Sequence, residues 1–288
     1  MKTTIHDRKK NKDYIEKSPV SATFLYKTII GTVLLAIVTR KTVSKASSFY
    51  MNSKYSSKRI DKFIEKNKID MSEYPKVEYR SFNDFFTRTI LPGKRPYSRD
   101  PNDFISVADS KLLVYKIDDK TEMSIKGKRY TVSELLRDKK LASTYKNGLC
   151  FVFRLSVDDY HRYSFFDDGE VKKIKKINGV LHTVGPVAFK RHKVFKENQR
   201  EYSILDTKHY GECIYMEVGA LMVGKIKNHP IKKFHRGQEK GYFLFGGSTI
   251  VVLFQEGVVE VDKDIWTNSL KEIETRVKLG ETVGHRKG

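Results

Sequence analysis

The sequence predicts an α+β fold that is mainly β, with a barrel- or sandwich-like core preceded by a helical, membrane-associating N-terminal part. Three observations carry that expectation. From residue 104 onward the apolar residues come in short runs with turn signals between them, the pattern of many short strands. Between residues 57 and 69 they recur instead at helical spacing. Ahead of both lies an uncharged run flanked by Lys and Arg, within a first 60 residues that hold 13 basic against 3 acidic side chains.

In chain order, residues 1–18, with Lys9, Lys10, Lys12 and Lys17, read as a basic mobile arm. Phe24-Leu25-Tyr26-Lys27 then leads into 12 uncharged residues, 28–39, closed by Arg40-Lys41. That is short of the roughly 20 residues a spanning helix needs, and no small-residue cleavage site of a secretory signal follows. A helix in the membrane interface fits better, with Lys27, Arg40, Lys41 and Lys45 at head-group level, each worth about 1 kcal/mol on an anionic leaflet. An ordinary buried helix is the alternative. Ile60, Phe63 and Ile64 mark the next helix, with Asp61, Lys62, Glu65 and Lys66 outside.

Leu91-Pro92-Gly93-Lys94-Arg95-Pro96 breaks regular structure and sets a border between a helical region, 19–96, and a β-rich region, 97–288. Strand-like runs follow at 104–107, 112–117, 149–155, 180–184, 213–218 and 221–226, and on either side of Gly246-Gly247. One helix interrupts them, announced by the capping box Thr131-Val132-Ser133-Glu134.

Of the 288 residues 39% are hydrophobic and 32% charged, which suits a folded chain with a sizeable core. The net charge of +21 calls for a polyanionic partner, nucleic acid or an anionic membrane surface. From Ser248 onward the balance reverses, with 6 basic and 7 acidic residues, so the last 41 residues are electrostatically a separate piece. Cys150 and Cys213 lie in apolar runs and are expected as buried free thiols of a reducing compartment. No Cys/His spacing resembles a zinc site, so no metal is expected.

Gly246-Gly247-Ser248-Thr249 admits two readings. Two glycines between strands make a turn or bulge, with Ser248 a turn residue. Alternatively, a hydroxyl immediately after a Gly-Gly peptide can attack the preceding carbonyl, because no Cβ obstructs it and the backbone can be held strained. Asp159-Tyr160-His161-Arg162, after a strand, and Asp109, at a strand end, are weak signals singly.

Together these pieces resemble the phosphatidylserine decarboxylase family, from about Phe24 to Phe254. In family order the matching stretches are Phe82-Asn83-Asp84-Phe85-Phe86-Thr87-Arg88, Pro92-Gly93-Lys94-Arg95-Pro96, Ala108-Asp109-Ser110 and Asp159-Tyr160-His161-Arg162. Leu181-His182-Thr183-Val184-Gly185-Pro186, Phe195-Lys196-Glu197-Asn198-Gln199-Arg200-Glu201, Val218-Gly219-Ala220-Leu221-Met222-Val223-Gly224 and Gly246-Gly247-Ser248-Thr249 complete the set.

The resemblance implies self-cleavage at Gly247-Ser248, giving a β chain of residues 1–247 and an α chain of 248–288 that stay together as a heterodimer. Ser248 then becomes a covalent pyruvoyl group. This group forms a Schiff base with phosphatidylserine and accepts the electrons left as CO2 departs, yielding phosphatidylethanolamine. By the same resemblance Asp109 belongs to the base system for self-cleavage, and His161 is the proton donor on the substrate side. Many members carry a second histidine three residues after the first. Here that position is Ser164, which cannot relay a proton as imidazole does, so either Asp109 acts more directly or another histidine substitutes, with His182 the candidate relay. The enzyme is expected as a peripheral protein of the cell membrane, on the cytoplasmic face. The alternatives are a pyruvoyl decarboxylase of another amino-acid head group and a non-catalytic basic membrane- or nucleic-acid-binding protein. No nucleic-acid-binding motif is present to support the last.

Overall fold

A computed structural model describes residues 2–17, 24, 28, 47–125, 128–180, 182, 194–219, 226–246 and 248–288. Its centre is the pair of strands Leu149–Leu155 and Ser248–Phe254, whose residues are buried almost without exception. An antiparallel strand with one wet face alternates apolar and polar side chains. These two do not alternate, because neither face is wet. Ile250, Val252 and Phe254 enter one cluster with Phe104, Phe151 and Phe153, while Val251 and Leu253 enter another with Leu113, Val152 and Tyr202.

The two strands belong to a ten-stranded sheet. Its order is Lys233–Phe234, Gly169–Ile177, Arg200–Thr207, Gly211–Val218, Ser248–Phe254, Leu149–Leu155, Ser110–Lys116, Glu274–Val277, Lys2–Asp7 and Lys12–Lys17. Neighbours run antiparallel except Lys2–Asp7, which is parallel to Glu274–Val277. The short helices Val132–Leu136, Lys139–Ser143 and Val194–Glu197 cover one face. Two three-stranded sheets and the helix Lys263–Leu270 cover the other. The capping box at Thr131 forms as expected, with Glu134 N donating to Thr131 Oγ1 at 3.0 Å.

The expected barrel does not form: among the described residues no sheet closes on itself. Because separate layers bury both faces, closure is not needed to hide apolar surface, and the edge strands Lys12–Lys17 and Lys233–Phe234 begin with Lys, a charge that discourages further pairing.

The expected mobile arm is also corrected. Residues 2–17 fold as a hairpin that extends the large sheet, with six pairs between its strands. Thr3, Ile5 and Asp7 are buried in alternation, and Arg8 bonds the carboxylates of Asp262, Asp264 and Glu281. Basic composition suggested a solvated tail, but the period-2 alternation of a strand outweighs it.

Between residues 47 and 86 the described chain forms short helices. Ile60–Asn67 and Phe82–Phe86 build a third cluster from Met51, Ile60, Phe82, Phe85 and Phe86. Residues 25–27 and 29–46, with Lys27, Arg40, Lys41 and Lys45, lie outside the described residues, so the expected interfacial helix falls there. Among the described residues no helix is long and apolar enough to cross a membrane. Cys150 and Cys213 are free and buried, and burial pushes both thiols up.

Ile5, fully buried, tests the hairpin. Ile5→Ala should lower the free energy of unfolding by about 2–5 kcal/mol, read from denaturant midpoints. A solvated arm would leave the midpoint unchanged.

Candidate active site

The strand Ser248–Phe254 starts where it does because of what grips the chain on either side. Upstream, Phe245 N donates to Asn83 Oδ1 at 2.9 Å, and the Phe245 ring packs edge-on against Phe82 (4.8 Å) and Phe86 (5.2 Å). Gly246 has φ +133°, a conformation that favours glycine. Gly247 lies outside the described residues. Downstream, Ser248 pairs with Leu155, and Thr249 with Arg154 and Val218. Ser248 is fully buried, and its Oγ has no hydrogen-bond partner among the described residues. A buried hydroxyl without a partner costs about 1–3 kcal/mol, which marks the position for a role other than packing.

His161 supplies a second buried polar atom without a partner among the described residues. Its ring lies 4.1 Å from that of Phe86, the residue that also touches Phe245. Its Nδ1 is 2.9 Å from Asp159 O, and its Nε2 has no partner among the described residues. Burial, with the Arg88 charge acting in the same direction, lowers its pKa to about 3. The imidazole is therefore neutral near pH 7. Since a carbonyl oxygen only accepts, Nδ1 carries the hydrogen and Nε2 presents a lone pair. As folded, His161 is a proton acceptor at Nε2.

Asp109 is placed differently. Lys111 pairs with Arg154 and Ser110 with Val277, so Ser110 stands level with Leu155 and Ser248 across the sheet. That sets Asp109 at least two strand spacings from Ser248, about 10 Å. Its carboxylate accepts from Arg95 Nε (2.8 Å) and Nη2 (2.7 Å), Lys278 Nζ (2.9 Å) and Leu279 N (2.8 Å). Burial would raise its pKa, but these partners outweigh it and hold it at about 2. The structure thus places Asp109 in an ion cluster that clamps residues 278–279 to Arg95, without contact to Ser248.

Asp159 Oδ2 accepts from buried Lys111 Nζ and from Ser156 N, each at 2.7 Å. Burial, offset in part by Lys111, pushes Asp159 up to about 6. His182 is pinned through its backbone: its N donates to Asn198 Oδ1 (3.0 Å) and its O accepts from Asn198 Nδ2 (2.7 Å). Asn198 Nδ2 also reaches Gly219 O at 2.7 Å, next to the Val218 that faces Thr249. His182 Nε2 lies 3.4 Å from Glu197 Oε2. So His182 is tied to the strand beside Ser248, with its ring turned to a carboxylate. Ser164 is a buried strand residue paired with Glu239.

A sequence model of the phosphatidylserine decarboxylase family matches residues 82–285. Phosphatidylserine decarboxylase proenzyme 2 of Clostridium acetobutylicum is 55% identical over 287 residues, covering 99% of this chain and 99% of that protein. The chain belongs to the phosphatidylserine decarboxylase family. Phosphatidylserine decarboxylase proenzymes of Fusobacterium nucleatum (42% identical, 92% of this chain and 90% of the relative) and Clostridium botulinum (40%, 97% and 98%) agree.

The sequence points to Ser248 and His161 as candidates but not to the residues that hold them. Asn83, Phe86 and Asn198 lie inside the family stretches quoted above, yet nothing in their spacing says that an amide will grip Phe245 N or bridge His182 to Gly219. Only the folded chain brings residue 83 to 245.

Neutral His161 has a consequence for stability. An unfolded histidine takes a proton near pH 6.5, whereas the folded one resists until about 3. The unfolded state therefore binds more protons in that window, and stability falls with falling pH at up to about 1.4 kcal/mol per unit. Asp159, raised to about 6, runs the other way between pH 6 and 4. His161→Gln should remove the histidine slope, so the gap between its unfolding free energy and wild type's should narrow as pH drops from 7 to 4. A constant gap would show that folding leaves the His161 pKa unshifted, and a widening gap that His161 folds protonated.

Proposed function

We propose that this chain is a self-processing, pyruvoyl-dependent phosphatidylserine decarboxylase that forms phosphatidylethanolamine and CO2. The observation that carries this reading is Ser248, a buried hydroxyl without a hydrogen-bond partner among the described residues, at the start of a central strand two residues after Gly246 at φ +133°. In self-cleavage, Ser248 Oγ bonds to the Gly247 carbonyl carbon as the C–N bond breaks, converting amide to ester. Loss of the Ser248 Cα hydrogen and cleavage of the Cβ–Oγ bond release Gly247 as a carboxylate and leave a dehydroalanine. Water then adds at Cα, and ammonia leaves. The residues present suit the group so formed, because residue 248 is fully buried and fixed by strand pairing.

A pyruvoyl group at position 248 supplies the carbonyl that takes the substrate amine and the electrons set free when CO2 departs. The chain's own residues supply the rest. His161 Nε2 takes up the proton that Ser248 gives up, and a proton held at Nε2 is returned to the substrate carbon after decarboxylation. This ordering follows from the neutral state of His161, which has to accept before it can donate. Asp109 acts by clamping residues 278–279 in place, because its carboxylate is taken up by Arg95, Lys278 and Leu279 N and makes no contact with Ser248. His182, paired with Glu197, is retained as a relay on the other flank of Ser248. The basic N-terminal region gives the enzyme an anionic, substrate-bearing membrane surface as partner, held peripherally on the cytoplasmic face.

Two chains of residues 1–247 and 248–288 are expected on a denaturing gel, with the intact mass of the small one carrying a pyruvoyl group in place of Ser248. Ser248→Ala should remain a single chain of 33.5 kDa without decarboxylase activity. A single unmodified chain in active wild-type protein would overturn the self-processing reading. His182→Ala should slow cleavage, and two chains appearing at the wild-type rate would remove His182 from that step.

A further inference from the structure

Arg88 has a feature that neither packing nor the self-cleavage chemistry uses. It is 4% exposed, and its guanidinium lies between two rings, 4.2 Å from the centroid of Tyr74 and 4.5 Å from that of Phe85. Nη1 donates to Phe85 O at 3.2 Å, whereas Nε and Nη2 have no hydrogen-bond partner among the described residues.

Other arginines in the same body show what this edge normally does. Arg95 places Nε and Nη2 on the two oxygens of Asp109, and Arg154 places the same pair on Glu274. Arg200, as buried as Arg88, gives its donors to the carbonyls of Leu135, Lys196, Asn198 and Glu134. Nε and Nη2 form the planar fork that matches a carboxylate or phosphate in two-point contact. In Arg88 that fork is buried, flanked by two rings and without a hydrogen-bond acceptor among the described residues. Leaving a buried charged donor unmatched is strongly unfavourable, so the site is built for an anion from outside the chain.

Its position says which anion. Arg88 is two residues from Phe86, whose ring touches His161, and its charge is felt at His161. Resting on the decarboxylase reading, we infer that Arg88 binds the phosphodiester of the substrate and so selects phospholipid over free amino acid. The substrate brings two anionic groups within a few bonds of the reacting carbon. A fork on the carboxylate would stabilise the ground state, since that group loses its charge as CO2 leaves, and would slow the reaction. The phosphodiester keeps its charge from substrate to product and sits three bonds from the reacting carbon, which suits a permanent anchor next to His161.

The test uses Ser248→Ala full-length protein, which cannot form the covalent adduct, titrated calorimetrically with soluble dihexanoyl phosphatidylserine and dihexanoyl phosphatidylethanolamine. Adding Arg88→Gln should weaken both ligands about 10- to 100-fold, because both carry the phosphodiester. Arg88→Lys, which keeps the charge but loses the fork, should fall between and serves if the Gln variant does not fold. Loss confined to phosphatidylserine would assign Arg88 to the carboxylate and overturn the proposal, as would unchanged affinity for both. In processed enzyme carrying native Ser248, Arg88→Gln should raise KM with kcat nearly unchanged, and a fall in kcat at constant KM would count against it. Failure of the wild-type chain to cleave or decarboxylate would remove the functional reading instead, while the titration still decides the role of Arg88.

Discussion

Strand Ser248–Phe254 sits between Gly211–Val218 and Leu149–Leu155 with both faces covered, and a strand in that position has no freedom of register. A one-residue slip would exchange its two sets of side chains between the clusters and carry Ser248 to the opposite face. The same pairing that builds the core therefore aims the Ser248 hydroxyl. Because the strand can neither slide nor turn, the residues just before it have to absorb the change of direction. Gly246 at φ +133° does so, and Phe245 is held by Asn83 and the aromatic cluster of the helical region. Fold stability and the geometry of the candidate cleavage site are one constraint.

Electrostatics divides the site by the same logic. Asp109 and Asp159 are both fully buried acids, yet one is held at about 2 and the other pushed to about 6. The difference is partners: Asp109 receives four charged or backbone donors, whereas Asp159 has Lys111 and one amide with Asp158 alongside. His161, facing rings rather than carboxylates, loses its charge altogether. Low dielectric strengthens paired groups and neutralises unpaired ones.

What was legible in the sequence followed from local pattern. Ile60, Phe63 and Ile64 announced their helix, Thr131 and Glu134 their cap, and the apolar runs at 149–155 and 248–254 their strands. Two expectations failed where a distant partner decided the outcome. The Lys-rich residues 2–17 become ordered strands because Glu274–Val277, some 270 residues later, offers an edge. The strands do not curl into a barrel because small sheets and short helices bury the faces that closure would otherwise hide. Ser248 and His161 were visible as residues, but their state was not. That His161 offers a lone pair and that Asp109 is a clamp depends on burial and on neighbours from Arg95 to Leu279, which no short window contains.

The parallel pairing of Glu274–Val277 with the N-terminal hairpin bears on what the proposed scission before Ser248 would do to the molecule. The segment after the cut contributes two strands to the sheet, each lying between strands of the larger piece. Neither can leave without breaking hydrogen bonds on both sides, so the nicked protein should hold together at any dilution short of unfolding. The reverse is harder, since a free 41-residue piece would have to find two separate slots in a partner that lacks its central strand. On the proposed cleavage, folding would be possible once, as a single chain, and cutting would turn an equilibrium structure into one whose lifetime is set by its unfolding rate.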